Sequence, residues 1–204
     1  MNRQTIVYAS AVLVGGMCCL TLVLGSFEEA SVRLAIRLTA ATSFALLLCT
    51  FSARPLLQLT RHPTARSLMR YRRQLGISVG ISHSFHLAMI FLLVPIAFDG
   101  EMSGLGSLSD NSVAIALYIL LYAMVLSSNN TSQRLLGRGW GYLHRSASYA
   151  LMLAFTAAYL RNAIDLGNTY YWVLASFGAT AFLLRFLSWR QASRSKERAV
   201  VAPR

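Results

Sequence analysis

RHPTARSLMRYRRQLGISVGISHSFHLAMIFLLVPIA, residues 61–97, divides into halves of opposite character. From Arg61 to Arg73 it carries five arginines; from Leu75 to Ala97 it carries no charged residue at all. A helix needs about 20 mostly apolar residues to cross a bilayer, so 75–97 reads as a membrane span behind a basic anchor. Five further apolar segments flank it, at 5–24, 34–53, 112–128, 141–160 and 170–189. The second holds Arg37 near its start, and the fourth is short.

Composition agrees. The chain has 204 residues, 55% of them hydrophobic and 13% charged. Soluble domains run at about 25% charged residues, so this chain lacks the charge to cover a water-facing surface of its size, and its apolar content excludes disorder. The expected fold class is an all-α integral membrane protein, a six-transmembrane-helix bundle over residues 1–189 with a basic tail at 190–204.

The net charge of +12 comes from 19 Lys and Arg against 7 Asp and Glu. Such an excess can mark nucleic-acid binding, but no segment interleaves aromatics with arginine as a base-stacking platform does. Most of the basic residues instead fall in alternate connections. Arg3 precedes the first segment, Arg54, Arg61, Arg66, Arg70, Arg72 and Arg73 follow the second, Arg134 and Arg138 follow the fourth, and Arg190, Arg194, Lys196, Arg198 and Arg204 follow the sixth. The acids take the other connections: Glu28 and Glu29, then Asp99, Glu101 and Asp110, then Asp165, with only Glu197 on the basic side. Cytoplasmic loops are enriched in Lys and Arg, so six spans put both termini in the cytoplasm.

The first segment is too long for a secretory h-region and lacks a clear cleavage site, which favours a membrane anchor. Cys18, Cys19 and Cys49 all lie in apolar segments and offer neither a disulfide framework nor metal-ligand spacing. A solute carrier would be expected to have repeated halves or broken helices. Neither is evident, and Pro95 is the one proline within a predicted span.

Ionisable groups inside the hydrocarbon are costly and are functional candidates by default. His62 sits in the basic connection and reads as solvated. His83 and His86 lie in the third segment, three residues apart and so on one face; His144 lies early in the fifth. At 1.5 Å per residue, His83 is ~15 Å and His86 ~20 Å beyond Arg73, and His144 is ~9 Å beyond Arg138. Neutral imidazole is a standard axial ligand for haem iron, so a porphyrin between the third and fifth segments would satisfy His144 together with His83 or His86. The alternative is that each histidine hydrogen-bonds a hydroxyl or carbonyl within the bundle. Gly76 and Gly80 form a GxxxG near the first pair, and Gly137, Gly139 and Gly141 precede His144. GxxxG usually means close helix packing, and beside a ligand it also clears room for a flat ring.

Two stretches carry a family resemblance. RRQLGISVGISHSFHL, residues 72–87, pairs two arginines with a Leu-Gly and a histidine that aligns with His86; TSQRLLGRGWGYLHRSASY, residues 131–149, aligns Trp140, Leu143 and His144. Together these 35 residues resemble the ferric-reductase-like transmembrane superfamily, and within it the haem-binding membrane subunits of the MsrQ (YedZ) family. The resemblance implies six helices, haem b and electron transfer. Where the superfamily commonly places a second histidine thirteen residues after the first, this chain has Ala157. One haem between His144 and either His86 or His83 is therefore the simplest carry-over, and a second haem has no obvious ligand pair. Arg73 and Arg138, with Arg72, are candidates to meet the haem propionates, since guanidinium binds carboxylates bidentately; orientation by charge is their other reading.

No GxGxxG follows a strand, so no nicotinamide or flavin domain is expected within the chain. Electrons would come from a quinol or a separate flavoprotein and go to a partner reductase or acceptor. The expected setting is a bacterial inner membrane. The competing expectation is a haem-free assembly partner or small-solute carrier with structural histidines.

Overall fold

The computed structural model describes residues 3–107 and 109–201; Arg204, and the side chains of Arg3, Lys196 and Arg198, lie outside what is described. Among the described residues seven α-helices follow one another: α1 (Arg3–Leu24), α2 (Glu29–Thr60), α3 (Pro63–Ala97), α4 (Ser112–Leu126), α5 (Asn130–Leu136), α6 (Arg138–Leu166) and α7 (Thr169–Val201). A short 3-10 helix at Met102–Leu105 lies between α3 and α4, and no strand occurs among the described residues. In lipid every backbone amide and carbonyl must be satisfied within its own segment, which helices achieve.

Four helical segments are long and apolar enough to cross a membrane: Gln4–Leu24, Glu29–Thr60, Pro63–Ala97 and Thr169–Arg194. A fifth results if α4 and α5, bent by 109° at their junction, count as one. The chain is thus an all-helical multi-pass membrane protein with four or five such helices among the described residues. The predicted fifth span, within α6, is not among them: Arg145 is its one charged residue, and with His144, Ser146, Ser148 and three tyrosines it dilutes the apolar character of 141–160.

Two expectations change. The stretch 54–74, read as a connection of about 20 residues, is helical on both sides of a two-residue turn, Arg61 and His62. Pro63 takes the first position of α3, where its missing N–H costs nothing. It also drives His62 out of helical geometry, and Arg61 reverses the chain in the left-handed region at φ 54°. The tail at 190–204 likewise continues α7 as far as Val201. Hydropathy marks where lipid begins, whereas arginine-rich sequence remains a good helix former.

The chain groups into two compact units, Met1–Leu47 with Arg73–Leu151, and Leu48–Arg72 with Met152–Arg204. In the first, α2 and α3 touch along a stripe of small polar residues. Thr39, Ser43, Ser78 and Ser82 are each fully buried. The Ser43 hydroxyl reaches the Ser82 hydroxyl at 2.9 Å, and Ser82 Oγ lies 3.3 Å from the Thr39 carbonyl. Ser10 of α1 reaches Ser78 in the same way at 2.8 Å. Lipid tails supply no hydrophobic drive between helices, so close backbone approach and hydroxyl hydrogen bonds carry the association.

Gly80 extends this packing to α4, since a Cβ added there would lie 2.5 Å from Cγ2 of Val125. Gly80→Val is accordingly expected to lower stability by about 1–3 kcal/mol through overpacking, measured as the denaturation midpoint in detergent; an unchanged midpoint would show that the two helices can part without cost. Gly76, its partner in the GxxxG, has open space where a Cβ would go. In the second unit Gly178 admits Thr156, whose Oγ1 would collide with an added Cβ. Phe51 and Phe182 pack edge to face at 5.4 Å between ring centroids.

In the connection between α3 and α4, Asp110 accepts the Ser107 amide at 3.0 Å and its hydroxyl at 2.7 Å. These bonds hold the exposed carboxyl below its ordinary range.

Candidate functional site

Residues three and four apart share a helix face, and His86 continues the α3 row begun by Ser78 and Ser82. That register delivers its ring to α2. His86 Nδ1 lies 3.0 Å from the Ile36 carbonyl and 3.2 Å from Thr39 Oγ1. A carbonyl only accepts, so Nδ1 carries the proton and Nε2 keeps the lone pair. Thr39 in turn donates to the Ala35 carbonyl at 2.7 Å, which leaves its oxygen to accept from the imidazole. A histidine that gives one ring N–H to a backbone carbonyl has the arrangement that orients metal-ligating imidazoles.

His83 stands beside it. Its ring is nearly parallel to that of His86, at 4.8 Å and 11°, and to that of Tyr118 on α4, at 4.8 Å and 24°. Tyr122, one turn further along α4, lies 6.2 Å from Tyr118 and exchanges a hydrogen bond with Ser84 at 2.9 Å. Two imidazoles stacked face to face from one helix cannot approach a single iron from opposite sides. Among the described helical histidines, an opposing ligand to either must come from His144.

His144 is built into a different set of contacts. Its Nε2 lies 3.0 Å from the Ser127 hydroxyl, and that hydroxyl reaches the Ala123 carbonyl at 2.6 Å. Trp140, one turn earlier on α6, stacks on the imidazole at 4.2 Å and donates its indole N–H to the Ser127 carbonyl at 3.0 Å. Ser127 is the residue at which α4 ends, so Trp140 and His144 fasten the α4 terminus to α6. Gly137 makes the preceding corner possible: its φ of 50° and ψ of −121° suit a residue without Cβ. Gly139 and Gly141 have open space around them.

The arginines are placed outside this core. Arg73 is exposed and donates to Asn130 Oδ1 at 3.0 Å, and Arg138 is exposed at the start of α6. Arg72 lies instead in the second unit, its Nε–H donating to the Thr50 carbonyl at 3.1 Å. His62 is exposed, its Nδ1 2.9 Å from Thr64 Oγ1. Among the described residues no three His, Cys, Asp or Glu side chains gather as a chelating group. Sequence reasoning missed Thr39 and Ser43 as partners of the histidine face. The signal was present as small or hydroxyl residues four apart, at Ala35, Thr39 and Ser43 on one helix and Ser78 and Ser82 on the other.

One relative is similar over most of the chain. It is the magnetosome protein MamZ of Magnetospirillum gryphiswaldense, 26% identical over 174 residues that cover 81% of this chain and 25% of that protein. This chain therefore spans about a quarter of its relative's length. No protein-family profile matches it, and no solved structure does.

Proposed function

We propose that this chain is a haem b-binding electron-transfer protein: a six-span bundle with cytoplasmic termini in a bacterial inner membrane, related to the ferric-reductase-like MsrQ (YedZ) subunits. The observation that carries the reading is the hydrogen bond from His86 Nδ1 to the Ile36 carbonyl, which fixes the tautomer whose Nε2 can ligate iron. His86 would hold the haem from α3 and His144 from α6. The donor set fits on the α3 side as it stands; on the α6 side Nε2 must exchange the Ser127 hydroxyl for iron. Arg73 and Arg138 would meet propionates at the basic interface, Arg73 releasing Asn130.

When bound, the haem supplies reversible one-electron chemistry. The protein's own share is to fix the imidazole tautomer through Ile36 and Thr39 and to hold the site between packed helices away from water. Electrons would enter from a quinol or a separate flavoprotein and leave to a partner reductase.

A second reading has its own support. The contacts of His144 with Ser127 and Trp140 are those of a packing residue, as expected of a haem-free assembly partner or small-solute carrier. One measurement separates the two: the absorption spectrum of the detergent-purified protein, oxidised and dithionite-reduced, with iron quantified per chain. Sharp reduced α and β bands with about one iron per chain support paired imidazole ligation. A colourless protein after expression with ample haem favours the second reading.

A further inference from the structure

Pro55 lies inside α2. Having no N–H, it leaves the carbonyl four residues earlier, that of Phe51, without its helical donor. Arg185 of α7 takes that place, its Nη2 donating to the Phe51 carbonyl at 3.1 Å while its guanidinium lies 3.8 Å over the Phe51 ring. On the neighbouring carbonyl, Thr50, Arg72 of α3 donates through Nε at 3.1 Å. Two guanidinium groups from different helices are therefore held on consecutive carbonyls of α2. The exposed Arg54, one residue before the proline, lies one turn after Thr50 on the same face of α2, beside the carbonyl that Arg72 binds. All three belong to the second compact unit.

The surrounding charge is one-sided. Residues 30–98 contain no Asp or Glu, and beyond residue 110 the chain has only Asp165 and Glu197. Asp165 faces Arg161, at 3.4 Å. Of the five N–H donors of a guanidinium, Arg72 commits Nε–H to the backbone, leaving its Nη groups for a further acceptor. Concentrating like charge where water is scarce is costly unless a counter-ion is supplied, and this stretch of sequence supplies almost none. The second predicted span ends at residue 53 and the third begins at residue 75, which sets Arg54 and Arg72 at the edge of the hydrocarbon. On α7, Leu183, Phe186 and Leu187 flank Arg185 with exposed apolar surface.

We propose that Arg54, Arg72 and Arg185 form a binding site for the phosphodiester group of an anionic phospholipid, with the apolar flank of α7 receiving an acyl chain. Basic pockets between spanning helices on the cytoplasmic side are suited to such headgroups, and guanidinium matches phosphate oxygens in pairs. The site is independent of the haem reading, since none of its residues is among those assigned above to hold the haem.

The test uses the full chain in detergent, with native mass spectrometry and thermal midpoints after addition of dioleoylphosphatidylglycerol, dioleoylphosphatidylcholine or inorganic phosphate. The wild type should bind phosphatidylglycerol about tenfold more tightly than phosphatidylcholine. Arg54→Gln, which removes a charge but no backbone contact, should lower that preference about fivefold, with helicity by circular dichroism unchanged; Arg72→Gln should do at least as much. If inorganic phosphate alone raises the midpoint and displaces phosphatidylglycerol, the site stands but is filled from solution. If the wild type binds both lipids equally and ignores phosphate, or if folded Arg54→Gln and Arg72→Gln both keep the full preference, the proposal is overturned.

Discussion

His86→Ala is expected to remove the reduced α and β bands and bring iron per chain to background, whereas His83→Ala leaves both in place. The difference follows from the way each ring is held. His86 is oriented by Ile36 and Thr39 on the neighbouring helix, while His83 lies stacked between two aromatic rings. Losing an axial ligand removes a coordinate bond outright, whereas losing an outer partner typically costs 10–100-fold in affinity. Thr39→Val should therefore retain haem but weaken its retention during washing. Should His86→Ala keep its iron content and band positions, the α3 ligand has been misassigned. Should His144→Ala do so, the ligand from α6 has.

The second large effect concerns the proline within α2. Arg185→Gln is expected to destabilise the protein by about 1.5–3 kcal/mol, the range for a charge-assisted hydrogen bond to a buried carbonyl, with the contact to the Phe51 ring adding to it. In a Pro55→Ala background the restored amide at position 55 can donate to the Phe51 carbonyl, so the same Arg185→Gln change should cost less by about 1 kcal/mol or more. A double-mutant cycle on denaturation midpoints in detergent measures this coupling directly. Additive effects of the two substitutions would mean that Arg185 does not compensate for the proline. The cycle leaves all the histidines in place, so its result bears on the fold alone.

Much of the architecture was legible in the sequence, and for an identifiable reason. Apolar length is a property of composition, so five of the six predicted segments lie wholly within helices and the fourth overruns α4 by two residues. Helix ends were less legible because hydropathy is blind to helical backbone in polar sequence. Arg54 to Thr60 and Pro63 to Gln74 remain helical although polar and charged side chains interrupt their apolar ones. The elbow between α4 and α5 was hidden for a different reason: it depends on Trp140 and His144, thirteen and seventeen residues after Ser127, which no local pattern connects to it.

The site was legible in part. The three helical histidines could be named from cost alone, since an imidazole in hydrocarbon requires a partner. Which ring nitrogen carries the proton could not, because that is decided by the Ile36 carbonyl, a backbone atom fifty residues away in sequence. The pairing of Arg185 with Pro55 was equally concealed. Each residue is unremarkable alone, and only their meeting across α2 and α7 turns a helix breaker into a docking point.

The two-residue turn at Arg61 and His62 bears on how the protein is made. Two long helices joined so tightly, with facing hydroxyls able to satisfy one another, form a unit that can leave the insertion channel together rather than one at a time. In the proposed topology the basic turn stays on the side of synthesis, and α2 with α3 would then serve as the template on which helices translated later assemble.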